Sequence, residues 1–514
     1  MSRTSAHIRA SFAHDRGCRL SAFAAPSMIA LLLCGTAVLP ARAETLPNAL
    51  AKAYFNNPNI NAQRATVRAS DENIPIAESG YLPHVNGSAD VGFEHDEFNG
   101  ASAGTFPSSS TGTGSAGTPG SSGTSGSGTS STTTSGGSSR GAGVVDTVPR
   151  GAGLNVSQTL FDGLRTTNRV KSAESNVFSM RETLRNTEAS VLQSGAQSYM
   201  DVLRDTAILD LRASNIKVLE EQLRQTQDRF KVGEVTRTDV AQSEASLAGA
   251  RSDFFAAQSQ LQNSIASYRQ VVGEQPTRLE PARPLERNIP TSLERAIAIS
   301  QAEHPSIQAA LHAVDVAELQ IKIAEGALYP TISLNGSVAQ RYDASATPGS
   351  KAFQGTIVGS VSVPIYEGGE TYATIRQAKE QLGVAQFQAD VSRDNVRAAV
   401  ISAWGLLVSS KAAVQADQSQ VNAAEIALNG TREEARVGQR TTLDVLNAQQ
   451  TLLNARVALV GAQRDRVVAS YSILASCGRL SASLLGLRVQ PYNPVVHFEQ
   501  VKDKWFGLRT PDGR

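Results

Sequence analysis

Apolar residues return at every seventh position along two stretches of the chain, and each stretch folds back at a Val-Gly pair. Val202, Leu209, Ile216, Leu223 and Phe230 lead into Val232-Gly233, and Val240, Leu247, Phe254, Leu261 and Tyr268 lead away from it. Shifted by 205 residues the same series reads Leu407, Val414, Val421, Leu428 and Ala435 before Val437-Gly438, then Val445, Leu452, Leu459, Arg466 and Ile473, with Arg466 the one break. A sustained step of seven predicts helices packed as in a coiled coil. Gly233 and Gly438 stand where such a helix must stop and φ turns positive. One helical hairpin is therefore written twice, over 164–272 and 370–477. No proline falls between Pro149 and Pro276 or between Pro364 and Pro491, so nothing forces a break. At about 1.5 Å per residue, the arm over 164–231 would reach about 100 Å, far longer than a compact domain needs.

Upstream of each hairpin the pattern is duplicated at a different offset. Short helical patterns end at Asn57-Pro58 and His304-Pro305, and each is followed by a helix of about twenty residues stopping at Leu82-Pro83 or Tyr329-Pro330, here 247 residues apart. The first copy thus holds 42 extra residues between Pro83 and Gly163. They lie in a Gly/Ser/Thr-rich run from Gly100 to Gly143 with too little apolar bulk to repay its ordering entropy, which predicts an irregular surface loop over about 99–150.

Around this loop the period changes from helical to alternating. Val85, Gly87, Ala89, Val91 and Phe93 alternate with polar residues, as do Leu154, Val156 and Leu160, then Ile332, Leu334, Gly336 and Val338, then Ile357, Gly359, Val361, Val363 and Ile365. Strands are predicted at about 84–98, 151–162, 331–342 and 355–366, each with one apolar face and the length of a membrane-crossing strand. Four strands cannot close a barrel, since bacterial barrels begin at about eight and lipid tolerates no open edge. Several chains must supply them together. Both hairpins leave and return on the helical side, so loops 94–153 and 343–354 belong outside the cell and the helical arms in the periplasm.

Composition supports an exported, mostly helical chain. Arg3, Arg9, Arg16 and Arg19, the apolar run Met28 to Leu39 and Ala41-Arg42-Ala43 read as a signal peptide over 1–43. Its removal leaves 43 basic and 46 acidic residues, a net charge near −3. Cys477 is then the one remaining cysteine, so no intrachain disulfide is expected. No later apolar run approaches the roughly 20 residues of a membrane helix, so a membrane crossing would be made by strands. Aromatics are 5% of the chain, and no basic cluster with interleaved aromatics points to nucleic acid. The histidines lack metal-ligand spacing, and neither a nucleophile elbow nor a phosphate-binding loop occurs. Neither an enzyme nor a cofactor is expected.

These features together resemble the TolC family of outer-membrane efflux and secretion channels. The resemblance rests on the paired X-Pro helix starts, Phe161-Asp162-Gly163 and Tyr366-Glu367-Gly368-Gly369 at the strand exits, and the two V-G-x-x-T-x-x-D-V-like turns. It implies a mainly α-helical chain with transmembrane β structure: a homotrimer in outer-membrane lipid whose 12-stranded barrel sits on a long helical barrel. The implied partners are a periplasmic adaptor (membrane fusion) protein and an inner-membrane transporter of RND, ABC or MFS type. It also implies a gate at the periplasmic tip. By position Thr238, Asp239 and Arg440 resemble linking residues and Asp444 one acidic ring, while Ala435 and Asn447 replace a linking tyrosine and a second aspartate. Val232, Gly233, Val437 and Gly438 mark the turns that an adaptor would meet.

Residue by residue, three Asp444 carboxylates around an axis would repel one another, raise their pKa and attract cations. Asp239 and Asp444 read equally well as caps at helix starts. The expected organisation is a first repeat over 44–275, a linker over 276–290, a second repeat over 291–480 and a periplasmic tail over 481–514, which either straps the outside of the helices with Trp505 and Phe506 as anchors or is a loose end. The rival reading is a periplasmic coiled-coil adaptor or scaffold, which would lack the four membrane-length strands.

Overall fold

The computed structural model describes residues 44–98, 143–343, 349–511 and 513; the segment expected to be a signal peptide and most of the Gly/Ser/Thr-rich loop lie outside them. Each half opens with a helix pair hinged at an X-Pro bond: α1 (Leu46–Asn56) and α2 (Pro58–Asp71), then α6 (Leu293–Glu303) and α7 (Pro305–Glu325). Proline disfavours helical backbone at the residue before it. Asn57 and His304 accordingly adopt matching extended conformations and cap the next helix, Asn57 Oδ1 accepting from Asn59 N–H at 2.9 Å and His304 Nδ1 from Ser306 N–H at 3.2 Å.

The expected twenty-residue helix is continuous in the second copy as α7. In the first copy it is interrupted after Asp71 and resumes as α3 (Asn73–Glu78). Pro75 is the cause: it has no N–H for the carbonyl of Asp71, and its ring crowds that turn.

The described residues hold six strands, four of them in the alternating segments. They are β1 (His84–Val91), β2 (Glu94–Phe98), β3 (Gly143–Thr147), β4 (Arg150–Phe161), β5 (Thr331–Tyr342) and β6 (Lys351–Ser362). The sheet order is β1-β4-β5-β6, antiparallel throughout, and β2 pairs with β3. The expected strand over 84–98 is thus broken at Gly92-Phe93, opposite Pro149, with Gly92 N–H donating to Pro149 O at 2.8 Å. The last strand spans 351–362 instead of 355–366. Val363 and Ile365 continue the alternation, but Pro364 has no N–H to offer a ladder.

Register carries the main consequence of this sheet. Val85 faces Val156, Leu154 faces Val338, and Gln340 faces Phe353, while Ser88, Asn155, Ser337 and Thr356 fall on the opposite side. One face is therefore mainly apolar across the four strands, interrupted by Gln158 and Gln340 and bordered by Arg150 and Lys351 at one end, and it is open: Val85, Leu154 and Ile357 are 62%, 57% and 83% exposed. The other face is polar and tied by Ser333–Ser360 and Ser337–Thr356 hydroxyl pairs at 2.7 and 2.6 Å. β1 and β6 each keep one unpaired edge. A 12-residue strand extends about 40 Å, enough to cross an apolar band of about 25 Å when tilted.

The helical hairpins are α4 (Arg165–Lys231) with α5 (Arg237–Val272), and α8 (Glu370–Arg436) with α9 (Thr442–Ser476). α4 and α8 each hold 67 residues, about 100 Å of helix. α8 includes an 18-residue window of mean hydropathy 1.3, of which 22% is buried. By length and composition it could cross a membrane, contrary to the sequence expectation. Its partners place it elsewhere, since Val396, Val400 and Leu407 pack with Ala296, Ile307, Ala469 and Ile473 in a helical core.

The entry into α4 is tight. Gly163 has φ +68°, and a Cβ there would sit 2.3 Å from the carbonyl oxygen of Gly326. Asp162 receives both the Thr166 N–H (2.8 Å) and its hydroxyl (2.7 Å). The main core lies where α1 meets α4, α5 and α9, with Leu50, Leu192, Tyr199, Val272 and Leu474 fully buried. There the Tyr199 hydroxyl reaches the carbonyls of Glu44 and Glu280 at 2.7 and 2.6 Å and holds the linker to the first helix. Burial pushes its pKa up to about 12.

The tail is ordered differently from expectation. Trp505 and Phe506 are exposed, and the holding contacts come from α10 (Pro494–Val501): His497 Nδ1 lies 2.9 Å from Asp71 Oδ2, and Arg181 stacks on Phe498.

Candidate functional site

The two hairpin tips are built alike. In the first, Gly233 (φ +79°) donates to Phe230 O and Glu234 N–H to Arg229 O; in the second, Gly438 (φ +78°) donates to Ala435 O and Gln439 N–H to Glu434 O. This is the paired bonding that closes a helix through a left-handed glycine. Nothing lies within 4 Å of a Cβ built on either glycine, so conformation and not space selects the residue. Val232 and Val437 are 78% and 71% exposed at the ends of the tips.

Each chain then re-enters a helix through a reciprocal cap. Asp239 N–H donates to Thr236 Oγ1 at 3.3 Å, while Asp239 Oδ2 accepts the Thr236 N–H (2.9 Å) and hydroxyl (2.7 Å). Asp444 and Thr441 repeat this at 3.2, 3.0 and 2.9 Å. Such a box satisfies helix-start donors that would otherwise lack partners. It also holds both carboxyls below the usual aspartate range. The Thr236 hydroxyl is the main cause for Asp239, and the Thr441 N–H for Asp444. Within one protomer, therefore, capping lowers the Asp444 pKa, against the increase expected for a ring of three.

Around the caps the charges are arranged in mirror fashion. In the first tip Arg229 precedes the turn and pairs with Glu234 beyond it at 2.6 Å; in the second Glu434 precedes it and pairs with Arg440 at 2.9 Å. Arg440, a linking residue by resemblance, is held in this structure by its own hairpin. Thr238 and Asn447 are exposed. Thr238, Asp239, Arg440, Asp444 and Asn447 are thus gathered at the two tips.

The structure adds a seam that sequence reasoning missed. Gln449 of α9 donates through Nε2 to Asn215 Oδ1 of α4 at 3.3 Å and accepts from Arg432 Nη2 of α8 at 3.3 Å. Asn215 and Gln449 are both buried. Just below, Leu446 packs against Leu219 and Leu247 of the first hairpin. The two hairpins are joined here by polar and apolar contacts across 234 residues of sequence. Each hairpin is further braced by one ion pair at the repeat offset, Glu220–Arg251 at 2.8 Å and Glu425–Arg456 at 2.6 Å.

Comparison with known proteins gives a consistent picture. The family model described as outer membrane efflux protein matches residues 49–274 and 296–479, one block in each half. The outer membrane efflux protein BepC of Brucella suis biovar 1 (strain 1330) is 42% identical over 490 residues, covering 94% of this chain and 97% of that protein. The outer membrane protein TolC of Escherichia coli (strain K12) is 24% identical over 485 residues, covering 91% and 89%. Among solved structures, the Campylobacter jejuni CmeC outer membrane channel superposes with a TM-score of 0.70 over 89% of each chain, at 16% identity.

Proposed function

The chain belongs to the outer membrane efflux protein family, and from that membership we propose how its open sheet and long hairpins become a gated duct. It is an outer-membrane channel of the efflux and type I secretion class, with its helical arms in the periplasm. Such channels are trimers working with a periplasmic adaptor and an inner-membrane transporter. The observation that carries the reading is the four-stranded sheet, mainly apolar on one face and unpaired at both edges, set on hairpins of about 100 Å. Three copies joined edge to edge supply twelve strands, remove every edge from lipid and enclose a polar lumen.

The periplasmic end is the gate. Neighbouring tips are linked through Thr238, Asp239 and Arg440, and Asp444 carboxylates line the constriction. Ala435 and Asn447 leave it less tightly tied and less acidic than a tip carrying tyrosine and a second aspartate. Val232-Gly233 and Val437-Gly438 present exposed apolar knobs to the adaptor, whose transporter is of RND, ABC or MFS type. Reconstitution of the purified protein in planar bilayers tests the duct directly. Discrete pores sensitive to substitutions at Arg440 or Asp444 support this assignment, and an impermeable bilayer after confirmed insertion rejects it.

A further inference from the structure

A second apolar surface lies outside the sheet, on the C-terminal tail. Trp505, Phe506 and Leu508 are 82%, 85% and 102% exposed, with Lys502, Lys504 and Arg509 interspersed. They are displayed together, because the tail is closed on itself: Lys504 N–H donates to Val501 O at 2.9 Å, the Lys504 ammonium bonds the Arg509 carbonyl, and the Trp505 and Phe506 ring centroids are 6.3 Å apart.

Tail contacts fix where this cluster stands. Tyr492 N–H donates to Tyr54 Oη of α1 at 3.1 Å, and the Tyr492 ring lies 5.3 Å from the Arg64 guanidinium of α2. Five residues later His497 meets Asp71 at the end of α2. α10 therefore climbs beside α2 toward the sheet, and Val501 is fully buried where it ends. Next, Asp503 and Lys502 act on the carboxyl of Glu78, whose pKa is pushed up by burial and by Asp503. Glu78 ends α3, just before β1 begins at His84. The exposed cluster thus follows directly at the helix-to-strand junction, where Tyr81, Phe161, Tyr329 and Tyr366 are also exposed. Aromatic side chains at strand ends are the signature of a membrane interface, and Lys and Arg reach the headgroups from there.

We propose that residues 502–511 form an interfacial anchor on the periplasmic leaflet of the outer membrane. Trp505, Phe506 and Leu508 enter the acyl region, and Lys502, Lys504 and Arg509 meet lipid phosphates. The occupant is phospholipid, favoured over a neighbouring copy by the level of the cluster and by its basic flank. This inference rests on the outer-membrane channel reading.

The test uses the full mature protein in vesicles of phosphatidylethanolamine and phosphatidylglycerol, with bromine on the acyl chains either near the headgroup or deep. The chain has two tryptophans, so the emission of Trp505 is read as the difference between the parent and W505F. The exposed ring makes this exchange harmless to folding. Loss of that emission to shallow bromines, and less to deep ones, is the expected result. Emission quenched by aqueous iodide but by neither lipid overturns the anchor in favour of a solvated tail. Emission quenched by none of them overturns it in favour of cover by another protomer. Failure of the protein to float with vesicles overturns the membrane reading itself, which separates the two claims.

Discussion

The polar seam between the hairpins makes the most direct prediction about gating. If opening parts neighbouring helices at the tips, Gln449 must release Asn215 or Arg432. Both hydrogen bonds are 3.3 Å long, at the weak end of the normal range. A neutral bond of this kind contributes about 0.5–1.5 kcal/mol, and the guanidinium of Arg432 is exposed, which discounts its share. About 1 kcal/mol per seam is a fair total, or roughly fivefold in the opening equilibrium; three seams parting together give on the order of a hundredfold. Gln449→Leu removes both bonds while keeping most of the volume, and it leaves Asn215 unpaired in the closed form, which acts in the same direction. Single-channel recording in planar bilayers should show a much larger open fraction with trimers intact on native gels. Gln450→Leu is the control, because Gln450 is exposed and bonds Asn454 on its own helix. An unchanged open fraction for Gln449→Leu refutes the reasoning, since the seam would then persist through opening.

Other consequences can be checked with the same preparations. Asp444→Asn should weaken block by multivalent cations, while Thr441→Ala, which keeps the charge and loses the cap hydroxyl, should retain it; equal loss in both would assign block to the helix start. Because the folded Asp444 pKa is depressed, the cap is complete above the ordinary aspartate value and is lost only as pH falls through the lower folded one. Block should therefore survive at roughly pH 5, and its loss there would mean that repulsion within the ring outweighs capping. Gly163→Ala should abolish the trimer band on native gels, since its Cβ has only 2.3 Å to Gly326 O. Gly438→Ala, with open space and strain of about 1–2 kcal/mol, should preserve the band. Tyr199→Phe strips the shared hydroxyl from two carbonyls and should cost about 1–3 kcal/mol, read as a lower urea midpoint for helix loss.

Much of this architecture is written in local patterns. Heptads ending at Val232-Gly233 and Val437-Gly438 mark the hairpins because a helix of constant period and a left-handed glycine are both local properties. The Thr-x-x-Asp caps are legible for the same reason. Strand limits are less so: apolar alternation runs through Pro364, but the ladder needs an N–H that proline lacks. β3 (Gly143–Thr147) falls within the range assigned to the loop, and its partner Glu94–Phe98 is charged, so no apolar alternation betrays the pair. The break after Asp71 was carried by Pro75 in an otherwise helical run. The seam of Asn215, Gln449 and Arg432 could not be read at all, because its residues come from three helices and become neighbours only when the two repeats pack. In the tail, Trp505 and Phe506 looked like anchors to the helices, but His497 and Val501 hold the chain and leave those rings outside.

The central claim is that the apolar-faced sheet with two open edges is one third of a closed barrel. Native mass of the mature protein, extracted from outer membranes in mild detergent and corrected for bound detergent, tests it most directly. The account predicts about three chains per particle. A single chain per particle that still forms pores, or a chain soluble without detergent, would contradict it.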